Sequence, residues 1–143
     1  MMTIRRTVGR LAEVLFRPPM SVEELSAFVA GVRGEVQRAK DPLVFVCDWR
    51  TVERFEPTFA DTIVWTMRRD NPRVTANGVL VAGSNVALYE QVEKVLREAK
   101  NPNRKVFRAR ADLSAFLDPL LTASERARRD VFLDEGERPP SRR

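Results

Sequence analysis

Histidine is missing from this chain altogether, and cysteine occurs once, at position 47. Without histidine, Ser-His and Cys-His nucleophilic catalysis and histidine-containing zinc sites are excluded. A single cysteine closes no internal disulfide and cannot supply a four-thiolate zinc site. Its setting, inside the run Leu43-Val44-Phe45-Val46-Cys47, is that of a buried, inert thiol, because a reactive one needs cationic neighbours and solvent access. Long apolar runs are lacking too. No stretch is long enough to cross a bilayer, and Met1 to Arg6 has no apolar core of the kind a secretory signal requires. The cytoplasm is the expected location. With only six glycines, the chain also carries neither a phosphate-cradling glycine loop nor a dinucleotide fingerprint, and no cofactor is expected.

What is present is a length of 143 residues, enough for one hydrophobic core, with 43% apolar and 31% charged residues. Those values belong to a soluble globular domain. The formal net charge of +5 would favour an acidic partner. Arginine, however, is dispersed among acids, without a dense basic block or a basic strand interleaved with aromatics, so a solvated mixed-charge surface is expected rather than a nucleic-acid site.

Leu43 to Asp48 is the organising stretch. Its apolar residues are too continuous for a half-exposed strand and too few for a buried helix, which predicts a central strand covered on both faces. The loop that follows, Trp49 to Arg54, leaves the C-terminal end of that strand, where α/β folds usually present a site.

Around this strand the chain divides at its prolines. Thr3 to Val8 and Arg10 to Phe16, separated by Gly9, predict two short strands or one long bent strand, stopped by Pro18 and Pro19. Ser21 and Glu24 form a capping box, with Met20 and Leu25 placed as a staple across it. The stripe Val22, Leu25, Phe28, Val29, Val32 and Val36 then predicts a helix, in which Gly31 and Gly34 each cost about 1 kcal/mol. Pro57 opens a second helix whose apolar side is Phe59, Ala60, Ile63, Val64 and Met67, leaving Trp65 opposite with Asp61, Thr62, Arg68 and Arg69.

Arg73 to Ala82 predicts one continuous, irregular strand, although Asn77-Gly78 is ordinarily a hairpin signal. Ser84 or Asn85 caps a third helix with the stripe Leu88, Tyr89, Val92, Val95, Leu96 and Ala99. Lys105 to Arg108 is a short edge strand, and Asp112 caps a helix through Leu113, Phe116, Leu117 and Leu120, interrupted near Pro119. Thr122 and Glu125 form another capping box, before a helix with the thin stripe Ala123, Ala127 and Val131. The expected organisation is an α/β domain over residues 1–121, a C-terminal helix over 122–134, and a disordered Gly/Pro/charge-rich tail over 135–143.

This order, ββαβαβαβα plus a C-terminal helix, resembles the STAS domain, the family of sulphate-transporter segments and anti-sigma-factor antagonists. It is closest in pattern to a bacterial branch often grouped with SEC14-type lipid-binding domains. The matching segments are Arg10 to Phe16 running through Arg17-Pro18-Pro19-Met20 into a capped helix, Val44 to Asp48, Val79 to Ala82, and Val106 to Arg108 before the helix from Leu113 to Leu117. The resemblance implies a mixed sheet with covering helices and a regulatory role. The family's switch serine or threonine begins the helix after the central strand, where this chain has Phe55-Glu56-Pro57-Thr58-Phe59. Pro57 occupies the phosphorylatable position and Phe59 the glycine position, which leaves Thr58 as the substitute acceptor or as an ordinary first-turn residue.

Three functional readings follow. The first is a non-catalytic protein-protein interaction module whose partner-binding residues are Trp49, Arg50, Arg54, Asp61, Trp65, Arg68 and Arg69, since interface energy concentrates in Trp and Arg. An acidic protein is the favoured partner, and exchange of the C-terminal helix between protomers would give a homodimer. The second is a small-ligand or lipid pocket between sheet and helices, as the SEC14-like comparison implies. The third, acid-base catalysis by Asp48 with Glu53 or Glu56, lacks any accompanying oxyanion or cofactor motif, so no enzyme activity is expected.

Overall fold

In the computed structural model, residues 1–138 are described; the rest of the expected tail, 139–143, lies outside the described residues. Five strands form one sheet in the order β1-β2-β3-β4-β5: β1 (Met2–Arg5), β2 (Leu11–Phe16), β3 (Leu43–Asp48), β4 (Val74–Leu80) and β5 (Arg104–Phe107). β1 pairs antiparallel with β2 through a turn at Gly9, and the remaining pairs are parallel. The α/β class and mixed sheet are therefore as expected, and the first two runs are two strands rather than one.

Each parallel neighbour is reached through one helix: α1 (Val22–Arg38), α2 (Pro57–Asp70) and α3 (Val86–Ala99). Because β2 to β5 advance in one direction and such crossovers are right-handed, all three helices must lie on the same face. Two more, α4 (Arg110–Leu117) and α5 (Ala123–Glu137), cover the other. β3 shows the consequence. Leu43, Phe45 and Cys47 pack with α1, α2 and α3, while Val44 and Val46 pack with Leu113, Leu117, Phe132 and Leu133 of α4 and α5.

The capping chemistry holds where the sequence places it. Ser21 and Glu24 exchange the two bonds of a capping box, as do Thr122 and Glu125, and Asn85 rather than Ser84 accepts from the Leu88 amide. Pro57 stands at the first position of α2. Gly31 has a packing reason that offsets its helix cost: a Cβ there would lie 2.9 Å from Ile4 Cγ2, so the glycine lets β1 approach α1. The Asn77-Gly78 pair is not a turn. Both lie inside β4, where Asn77 serves as a buried hydrogen-bonding group and Gly78 makes room for α4; a Cβ at 78 would meet Leu113 Cδ1 at 2.3 Å.

Three local expectations are corrected. Asp112 does not cap α4: Ala109 occupies that place, its carbonyl accepting from the Asp112 and Leu113 amides, and Asp112 sits in the first turn, where a carboxylate complements the helix dipole. α5 does not dock through Ala123, Ala127 and Val131. It buries Glu125, Arg129, Phe132 and Leu133, while Val131 is exposed. The helix also runs on to Glu137, so residues 135–137 are helical rather than tail.

The buried charges of α5 are matched. Glu125 Oε1 accepts from the Thr122 amide at 2.8 Å and Oε2 from the Arg10 amide at 2.7 Å; Arg129 Nη1 donates to Asp118 Oδ1 at 2.5 Å. Burial alone would raise the Glu125 carboxyl, but these amides outweigh it and hold it below its ordinary value. A carboxylate with a depressed folded-state pKa stabilises above its unfolded pKa, and that contribution is lost as pH falls through the folded value. Thermal unfolding followed from neutral pH down to about pH 3 should show a decline that the Glu125→Gln variant, less stable at neutral pH, shows more weakly. Parallel pH profiles for the two proteins would count against this assignment.

Candidate functional site

The face of α2 opposite its core stripe is where the expected interaction residues meet. Asp61, Trp65, Arg68 and Arg69 stand at i, i+4, i+7 and i+8, one side of a helix whose other side buries Phe59, Ile63, Val64 and Met67. Trp65 is 57% exposed, a large apolar surface left in water.

Its surroundings are held firmly. The Arg69 guanidinium lies 5.1 Å from the Trp65 ring centroid, within cation-π range. That guanidinium is fixed by a two-point bond to Asp70, Nε to Oδ1 at 3.0 Å and Nη2 to Oδ2 at 2.8 Å, and Nη2 also donates to the Val29 carbonyl of α1. Asp70 is buried and takes a second cation, Arg33 of α1, at 3.1 Å. On the other flank, Arg68 Nε donates to the Glu98 carbonyl of α3 at 2.6 Å. The indole is therefore presented on a helix pinned to both neighbours. Asp61 and Arg54 are exposed, and so is Thr58 in the first turn of α2, where its carbonyl accepts from Thr62 Oγ1.

The loop after β3 departs from expectation. Trp49 belongs to no docking face: it is 1% exposed, stacked on Phe16 at 4.8 Å with an interplanar angle of 5°, and edge-on to Phe55 at 5.2 Å. Val52 and Phe55 are buried beside it, so the loop is anchored inward by three apolar side chains. Arg50 is likewise engaged within the domain. Its Nε and Nη2 donate to Asp48 at 2.9 and 2.8 Å, Nη2 to the Leu133 carbonyl at 2.7 Å, and Nη1 to Glu137 at 2.9 Å. Burial works against that charge, but Asp48 and Glu137 outweigh it and raise the pKa of Arg50 above its ordinary value. Arg50 thus fastens α5 to the end of β3. Asp48, committed to this contact, is not paired with Glu53 or Glu56.

The sequence reading missed a buried polar group under the helices. Arg104, the first residue of the short edge strand, is only 7% exposed. It donates to Asn71 Oδ1 at 3.0 Å, Asn77 Oδ1 at 3.0 Å and the Met67 carbonyl at 3.2 Å. Asn77 Nδ2 in turn contacts Cys47 Sγ at 3.3 Å. Burial pushes the Arg104 guanidinium down to about 10 and the Cys47 thiol up to about 12, the thiol value being that of an inert group. The only advance signal was Asn77, an amide inside a strand pattern. These groups border an internal cavity of about 40 Å³, lined also by Phe28, Phe45, Trp49 and Met67. That is room for one or two water molecules.

No family model, curated protein or solved structure was found to match the chain. Among the described residues, no helix is long and apolar enough to cross a membrane, and no three Cys, Asp or Glu side chains gather as a metal site. Fold and site together define an α/β protein with a five-stranded mixed sheet that presents a braced, exposed tryptophan.

Proposed function

We propose that the protein is a non-catalytic, STAS-like interaction module, acting in cytoplasmic bacterial regulation by docking a protein partner on the outer face of α2. One observation carries this reading: Trp65 is exposed, yet braced by Arg69, which is itself locked to buried Asp70. A tryptophan on a pinned helix loses little conformational entropy when a partner covers it, and this is what an interface anchor requires. Exposed Arg68 on the same face suits an acidic partner, to which it would give charge-assisted hydrogen bonds, while Arg69 braces the indole. The STAS-like kinship is supported by element order and by the sheet, and it fits a role in protein contact. The lipid-binding alternative has less support, since the internal cavity of about 40 Å³ is far short of an acyl chain.

The magnitude follows from area. A tryptophan side chain carries ~200 Å² of surface. Covering the exposed half or so at ~25 cal/mol/Å² contributes about 2–3 kcal/mol, roughly thirty- to a hundredfold in affinity. Changing Trp65 and Arg69 together to alanine should therefore abolish recovery of the partner from native cell extract. Thermal stability should fall somewhat in the double variant, because buried Asp70 then keeps only Arg33, whereas Trp65→Ala alone should leave it almost unchanged and still weaken the complex. An undiminished complex with the double variant would refute the site.

A further inference from the structure

β5 is an open edge of the sheet: β4 lies on one side of it and no strand on the other among the described residues. The Asn77 amide donates to the Asn103 carbonyl and the Val81 amide to the Phe107 carbonyl, both at 3.0 Å, so the backbones of 103 and 107 face β4. Strand alternation then turns the peptide groups of Arg104 and Val106 outward. The Arg104 amide is used in a turn to the Asn101 carbonyl, which leaves the Arg104 carbonyl and both backbone groups of Val106 facing away from the sheet.

Beside this edge, between α3 and β5, runs a groove of about 650 Å³. Leu96 and Val106 contribute apolar surface to it, and Arg97, Lys100 and Lys105 line its rim against the single carboxylate of Glu93. All three cations are exposed and none takes part in an ion pair among the described residues; Arg97 and Lys100 stand on the α3 side of the edge, whereas the Lys105 ammonium lies 5.6 Å from the Phe116 ring centroid on the α4 side. Elsewhere in the domain, arginines are spent on internal partners, as Arg50, Arg69 and Arg128 are. Cations left unpaired around an open strand edge are a different arrangement.

We propose that this edge receives an extended acidic segment of a partner protein as an added strand next to β5. Main-chain bonds to Arg104 and Val106 would hold the segment; because strand side chains alternate between the two sides of the sheet, its carboxylates would meet Arg97 and Lys100 on the α3 side, and its apolar side chains would lie toward Phe116 and the Lys105 stem on the α4 side. A second copy of β5 is the wrong occupant, because pairing two such edges sets Lys105 and Arg108 against like charges. This surface lies beyond α3 from Trp65, and the inference does not rest on the α2 reading.

The test uses the full chain, labelled with 15N, and two acetylated probe peptides, one alternating glutamate with valine and one alternating lysine with valine. Binding of the glutamate peptide should slow exchange of the Val106 amide at least about tenfold, the mark of an added strand. It should also exceed binding of the lysine peptide by about tenfold or more, as two exposed ion pairs of modest individual strength, set against repulsion of the lysines, allow. A variant carrying Arg97→Glu and Lys100→Glu, its fold checked by thermal melting, should reverse the preference between the two peptides. The proposal is overturned if the glutamate peptide fails to bind, if it binds with the Val106 amide unchanged, or if the charge-reversed variant still prefers it. It is overturned equally if light scattering shows that Val106 is protected through self-association, or if single-stranded DNA binds this edge more tightly than the peptide.

Discussion

Replacing Arg104 by alanine is expected to cost about 3–5 kcal/mol of folding stability, although the residue opens an edge strand and stands between Asn103 and Lys105 in the sequence. Its three nitrogens satisfy Asn71, Asn77 and the Met67 carbonyl beneath α2 and α3. Asn71 would keep a donor in Asn101, but Asn77 Oδ1, fully buried, would lose the hydrogen bond it accepts from Arg104. The charge that helps balance buried Asp70 would go as well. Urea unfolding of the variant should show this loss, a large share of the ~5–15 kcal/mol of a typical domain. A companion variant sharpens the attribution. Arg104→Met with Asn77→Leu removes donor and acceptor together and fills similar volume, so it should lose clearly less than Arg104→Ala. Arg104→Met alone keeps the stem but leaves Asn77 Oδ1 without its donor and should lose more than the double variant; equal losses for these two would mean that the orphaned acceptor does not carry the effect.

Trp49→Ala should be about as damaging, near 3–5 kcal/mol, the range for emptying a buried tryptophan site. The indole is the centre of an aromatic group: Phe16 stacks on it, Phe55 meets it edge-on, and Phe28 meets Phe16 edge-on at 4.9 Å. Removing it would enlarge a cavity of about 40 Å³ already present there, and the surrounding rings cannot close the gap without losing their own contacts. Trp49→Phe keeps a ring in the stack and should cost less. The contrast with Trp65→Ala separates two tryptophans that the sequence presents as similar loop and helix aromatics. One change should unfold the domain readily, while the other should leave its melting temperature almost unmoved.

What the sequence could reveal followed from how each segment is stabilised. The Leu43 to Asp48 strand was legible because apolar layers lie on both of its faces, leaving no polar alternation. α1, α2 and α3 were legible because each buries an apolar stripe of helical period and is marked by a local cap or by Pro57. The exposed side of α2 came with that stripe, since the core residues fix which way Trp65 must point. α5 was not legible in the same way. Two of its four buried residues are Glu125 and Arg129, whose burial depends on partners far along the chain at Arg10 and nearer at Asp118. A search for apolar periodicity instead selects Ala123, Ala127 and Val131, which lie in water.

The same limit explains the loop after β3. Trp49 and Arg50 read as a docking edge because a tryptophan beside an arginine after a central strand resembles a presented site. Their real partners, Phe16, Phe55 and the far end of α5, are contributed by segments whose proximity only the fold creates. Arg104 belongs to this class too. Its neighbours Asn71 and Asn77 are 33 and 27 residues away, and no local pattern distinguishes a buried arginine from a charged strand flank.

The claim that partner contact is made through Trp65 is tested most directly by its own fluorescence. In a Trp49→Phe variant Trp65 is the sole tryptophan, and its emission can be followed with iodide as quencher, first in the free protein and then in the complex recovered from native extract. Solvent-like, readily quenched emission in the free protein, becoming blue-shifted and shielded in the complex, is the predicted result. Emission already shielded in the free protein, or quenched equally in the complex, would contradict it.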